Sequence, residues 1–157
     1  MKVWYTMLMK LKNKLKGIFI LLFLFFFTLI PLTYAKENFF IEGKKLFDLK
    51  KYDESKFLFQ RSIVYDPKKT ESYIYLSKIF SAEDNEIEEK KNIKTALLLD
   101  PKNEEALLIL INIELKRSNI SEVKKLKNRF QNACSSLCDK ISNIDKKLSN
   151  IEAKDES

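Results

Sequence analysis

Residues 39–49 place Phe39, Gly43, Leu46 and Phe47 at helical spacing on one side. The next stretch predicts a second helix, with Asp53 able to cap it. Phe57, Leu58, Phe59, Ile63 and Val64 suit burial of that helix on more than one side. Asp66-Pro67 stops it, because proline cannot continue a helix but can lead into the next. Thr70-Glu71 then supplies a cap and an acid at the positive end of a third helix. The pattern returns, with Tyr73, Leu76, Ser77 and Phe80 on one helix and Ile87, Ile93, Ala96 and Leu97 on another. A third unit begins at Asn103-Glu104-Glu105-Ala106-Leu107: a cap, two first-turn acids and the start of an apolar helix. In the tail, Leu137, Ile141, Ile144, Leu148 and Ile151 are spaced 4, 3, 4 and 3, which paints one apolar stripe along a helix. Residues 121–157 contain no glycine or proline to force a break.

The first two units share a frame of 34 residues. Phe39 is followed by Tyr73, Gly43 by Ser77, Leu46 by Phe80, Phe59 by Ile93, Ser62 by Ala96, and Asp66-Pro67-Lys68 by Asp100-Pro101-Lys102. A helical hairpin of this length, with small, aromatic and proline positions in this order, resembles the tetratricopeptide repeat. The resemblance implies an all-α fold of about three antiparallel helix hairpins, stacked as a short right-handed α-solenoid with a C-terminal capping helix. It divides the chain into a repeat domain at 36–133 (units 36–69, 70–103 and 104–133) and a capping helix with charged tail at 134–157. Small positions such as Gly43 mark where partner helices cross closely. Against the family pattern, the apolar residue expected at Glu86 falls one place later at Ile87, read as a shifted loop, and Glu89 replaces a small residue. In the third unit Ile111 replaces a small residue, Glu114 a large apolar one and Lys127 an aromatic, as in atypical terminal repeats.

The first 35 residues are of another kind. Residues 1–16 are basic, and residues 17–32 form an uncharged apolar run that ends in Thr33-Tyr34-Ala35. This is the layout of a secretory signal peptide cleaved after Ala35. The alternative is an uncleaved anchor, since the uncharged span of 17–35 approaches the ~20 residues that cross a bilayer. Either reading puts the remainder outside the cytoplasm, periplasmic or secreted in the first case and membrane-anchored in the second. The excess of lysines before the apolar run agrees.

Charge changes the picture once the leader is separated. The formal +7 includes Lys2, Lys10, Lys12, Lys14 and Lys16, and without them 24 basic side chains face 22 acidic ones. That balance is no footprint for nucleic acid. The chain has no histidine and two glycines, which removes imidazole catalysis and glycine-rich phosphate loops. No carboxylate is paired with a base or nucleophile, so no enzyme, metal site or cofactor is expected. Cys134 and Cys138 fit a disulfide of an exported protein if Ser135-Ser136 leave the helix. Two free thiols are the alternative, and a thiol-active role is a third reading.

By the family's geometry, the first helix of each hairpin lines a concave face, here presenting Phe40, Lys44, Phe47, Ile74, Lys78, Ser81, Leu108, Asn112 and Leu115. Apolar anchors with lysines suit a protein or peptide partner. The bland alternative is that Phe40, Ile74 and Leu108 pack between helices. Chaperone-binding members clamp a terminal carboxylate. The corresponding positions here hold Phe40, Lys44, Tyr75, Glu105 and Ile109, of which only one is cationic, so that subclass is set aside. The expectation is therefore an exported, non-enzymatic adaptor in the cell envelope, acting as a monomer or pairing through its C-terminal helix. A membrane-anchored assembly factor is the second reading.

Overall fold

The computed structural model describes residues 38–155 together with residues 15, 16, 18, 19, 23 and 25. Those six leader positions are helical and belong to a unit separate from Phe39–Ser157. The signal peptide or anchor read over 1–35 otherwise lies outside the described residues, as does its cleavage point. Among the described residues no helix is long and apolar enough to cross a membrane.

Every regular element among the described residues is an α-helix: α1 (38–48), α2 (Tyr52–Tyr65), α3 (Thr70–Ala82), α4 (Glu86–Leu99), α5 (Glu104–Lys116), α6 (Ile120–Ala133) and α7 (Lys140–Asp155). Helices α2, α4 and α6 begin 34 residues apart and end 34 residues apart, and so do α3 and α5. The backbone keeps the frame even where the side chains depart from it.

The reason lies in the turn inside each hairpin. Lys50, Asp84 and Ser118 take left-handed φ values of 58°, 55° and 53°. The following amides, of Lys51, Asn85 and Asn119, reach back to the carbonyls of Leu46, Phe80 and Glu114 at 2.9, 2.8 and 3.0 Å. This bond, from the third residue past the helix to its last turn, is a helix-ending motif in which glycine usually takes the left-handed position. Here three other residues do so at one register.

This corrects the shifted loop. Helix α4 starts in frame at Glu86, and Ile87 is 81% exposed rather than replacing a core residue. Two caps are corrected as well. Lys51 and Lys69 occupy the cap positions of α2 and α3 and make no side-chain cap bond, while Asp53 and Thr70 lie inside the helices. Asn85, Asn103 and Asn119 do cap α4, α5 and α6, accepting from Glu88, Ala106 and Glu122 amides. Nor is α2 buried on several sides: it buries Ser55, Phe59 and Ser62 and leaves Phe57 and Val64 in solvent.

The small positions act as expected. The ring of Phe59 lies where a Cβ on Gly43 would stand only 2.9 Å from Cε1. Ser55 Oγ donates to the Gly43 carbonyl at 2.8 Å, and Ser62 and Ser72 hydroxyls meet at 3.0 Å between α2 and α3. Phe59, Leu76 and Ile79 form one core cluster. The larger one runs from Ile74 and Ile93 through Leu107, Ile111, Leu126 and Phe130 to Ile144 and Leu148.

Helix α7 thus lays most of the predicted stripe on the last hairpin, with Ile141 and Ile151 packed beside Ile144 and Leu148, while Leu137 packs on the same core from the loop before it. Burying each of those two core side chains contributes about 1.5–3 kcal/mol. Ion pairs from α6 flank the seam, Lys127 to Asp145 and Lys124 to Glu152, both at 2.7 Å. The chain nevertheless breaks between α6 and α7 without glycine or proline. Residues 134–139 are non-helical, and a disulfide joins Cys134 to Cys138 across them with 5.4 Å between Cα atoms.

Candidate partner-binding groove

Two hollows open along the first helices of the hairpins. The larger, about 590 Å³, lies between α5 and α7 and is lined by Asn112, Leu115, Lys116, Lys147, Asn150 and Ile151. The other, about 190 Å³, is lined by Lys78 and Ser81 of α3, Glu89 of α4, and Ile109, Asn112, Ile113 and Lys116 of α5. Asn112 and Lys116 border both, so together they make one groove from α3 across α5 to α7. Its floor is aliphatic and its edges carry ammonium and amide groups.

Of the nine residues read as a concave face, Lys78, Ser81, Asn112 and Leu115 line this groove. Leu115 contributes as floor, being only 7% exposed. Ile74, at 2%, is enclosed in the larger core cluster and has no surface for a partner, and Leu108 packs half-buried against the same cluster. Phe40, Lys44 and Phe47 gather elsewhere, around Tyr75. The rings of Phe40 and Phe47 lie 5.8 and 5.2 Å from that of Tyr75, and Phe59 stacks on it at 5.0 Å. Lys44 and Lys78 ammonium groups sit 5.7 and 4.6 Å from its centroid. Tyr75 is thus the hub of the N-terminal end.

Lys116, Lys147 and Asn150 had no place in the sequence reading, and Ile109 and Ile151 entered it only as a clamp position and as part of the capping stripe. The signal was present: one more period of the frame beyond Lys116 falls on Asn150. Helix α7 therefore stands where the first helix of a fourth hairpin would, and lines the groove as well as covering the core.

Charge is distributed unevenly along the groove. Lys78 is paired with Glu105 at 2.5 Å, and Glu89, 6% exposed, faces the same hollow. Lys147 reaches only the Asn112 amide oxygen, at 3.5 Å. Among the described residues, neither Lys116 nor Lys147 has a carboxylate partner.

Two carboxylates hold the walls in place. Glu104, at the start of α5, accepts from the Ser135 amide and hydroxyl at 2.7 and 2.6 Å, from the Ser136 amide and hydroxyl at 3.0 and 3.2 Å, and from the Leu137 amide at 2.9 Å. The Ser135 hydroxyl, with the backbone amides, draws its pKa down to about 2 against the opposing effect of burial. The loop bridged by the disulfide is thereby tied to α5, and α7 follows directly. Glu114, 1% exposed, replaces the large apolar residue of earlier repeats and is paired with Lys90 at 2.5 Å and with the Asn119 amide at 2.9 Å. Burial pushes its pKa up, but Lys90 and Asn119 outweigh that and leave it lowered.

No protein-family model matches the sequence, and no curated protein matches it. Solved structures do. The first TPR domain of Spaghetti (RPAP3), bound to the HSP90 peptide SRMEEVD, superposes with a TM-score of 0.65 over 78% of this chain and 94% of that one, at 15% identity. The chain has the tetratricopeptide-repeat fold. The type III secretion translocator chaperone SycD of Yersinia enterocolitica matches at 0.66 and 14% identity, covering 77% of this chain and 86% of its own. SycD has also been solved with a peptide of the translocator YopD. The TPR2B domain of yeast Sti1, in complex with pHsp70, matches at 0.65 and 12% identity over 76% of this chain and 98% of that one.

Proposed function

We propose that the chain is a non-catalytic tetratricopeptide adaptor that holds a segment of a protein partner in the groove formed by α3, α5 and α7. The observation that carries this reading is the groove itself: an aliphatic floor of Ile109, Leu115 and Ile151 edged by lysine and amide groups. Apolar anchors supply affinity in such a site, and the polar edge orients the segment. The peptide complexes of RPAP3 and SycD support the mode of action, since domains of this fold hold peptides.

The place of action belongs to the same proposal. A basic start, an apolar run and Ala35 support export, with the adaptor working in the cell envelope either free or held by its uncleaved leader. Asn112 lies in the middle of the groove, so Asn112→Trp fills it. Affinity capture from the native host should recover a protein with the parent and with Lys94→Glu on exposed α4 surface, and lose it with Asn112→Trp. Recovery by all three overturns the groove reading. Intact mass tests the location: a chain beginning at Lys36 supports the free form, and one retaining Met1 supports the anchored form.

A further inference from the structure

Resting on that reading, we infer that the α5–α7 end of the groove is a subsite for an acidic segment of the partner, a carboxylate placed next to an aliphatic side chain, with α7 supplying half of it. The argument starts from what is already neutralised. At the α3 end, Lys78 is held by Glu105 and the buried Glu89 adds negative charge. At the α7 end, Lys116 and Lys147 project from facing helices over Leu115 and Ile151, with no carboxylate opposite either among the described residues. Glu152, the nearby acid of α7, is committed to Lys124, and Glu114 is committed to Lys90.

Two cations sharing an aliphatic floor attract a carboxylate and favour an apolar neighbour for it. Asn150 and the Asn112 amide, which already orients Lys147, add hydrogen-bonding groups to the same rim. The positions that carry the terminal-carboxylate clamp in chaperone-binding domains hold Phe40, Tyr75, Glu105 and Ile109 besides Lys44, and lie at α1, α3 and α5. This subsite is therefore a different one, displaced along the array toward α7, and it exists only because α7 continues the array.

The test is selection of a displayed library of random twelve-residue peptides on the parent, on Lys116→Glu/Lys147→Glu, on Lys94→Glu and on Asn112→Trp, after circular dichroism shows all four folded. The expected result is enrichment of peptides with Asp or Glu beside Leu, Ile, Val or Phe. Their affinity should fall ~10-fold or more in the double variant, be unchanged in Lys94→Glu, and weaken with added salt. Enriched peptides without acidic residues, or with affinity indifferent to the double substitution but lost in Asn112→Trp, overturn the acidic subsite and leave the groove reading standing. Enrichment of nothing, or of peptides that also survive Asn112→Trp, overturns both.

Discussion

Gly43 and Ser77 stand at the same place in successive repeats, yet alanine should act on them with opposite sign. At Gly43 an added methyl meets the Phe59 ring at 2.9 Å, so the ring or the helix must move. Gly43→Ala is expected to cost about 1–3 kcal/mol, the usual penalty of overpacking, despite alanine's better helix propensity. Ser77 Oγ is buried with no hydrogen-bond partner. Ser77→Ala removes that unmet group and should stabilise by about 1 kcal/mol. Urea unfolding of the two variants checks both signs. Glu114 poses a related question, since it puts a charge where earlier repeats have Leu46 and Phe80. Glu114→Ala strands Lys90 beside the core and should cost about 2–3 kcal/mol. Glu114→Leu combined with Lys90→Leu should return to within about 1 kcal/mol of the parent, measured as a double-mutant cycle.

At the scale of elements, the joint between α6 and α7 is the part most open to chemical control. Glu104 has a folded pKa of about 2, below its ordinary 4.5, so its contribution is complete above the ordinary value and disappears as pH falls from 4.5 through 2. The melting temperatures of the parent and Glu104→Gln should differ most at neutral pH and converge near pH 2; a gap independent of pH would refute the role of the charge. Cutting the disulfide, by replacing Cys134 and Cys138 with serine, frees a short loop and should cost about 2 kcal/mol, read by the same unfolding assay. The sequence disclosed these elements unevenly. Helices announced by apolar spacing were legible, and among the caps only Asn103; Asn85 and Asn119 stand before first turns whose apolar spacing does not mark the boundary. The turns at Lys50, Asp84 and Ser118 were not, because a left-handed residue other than glycine has no distinctive signature; misreading Ile87 followed from that. The break at 134–139 was legible only through its cysteines, since nothing else there opposes a helix.

For the whole molecule, the 34-residue frame revealed the architecture before any coordinates did, because small and large positions such as Gly43 and Phe59 must alternate for hairpins to stack. The candidate site was harder. Helix periodicity tells which residues face a neighbour, but not whether the neighbour leaves them solvent: Ile74 and Lys78 share one helix, and only Lys78 reaches the groove. Helix α7 was read as a cover, and its second role depends on how it meets α5. The most direct measurement is photo-crosslinking in the native host from benzoylphenylalanine placed at Asn150, on the exposed rim of the groove, or at Lys94, on exposed α4. The account predicts one dominant protein adduct from Asn150 and none from Lys94. An adduct from Lys94 with none from Asn150 would contradict it.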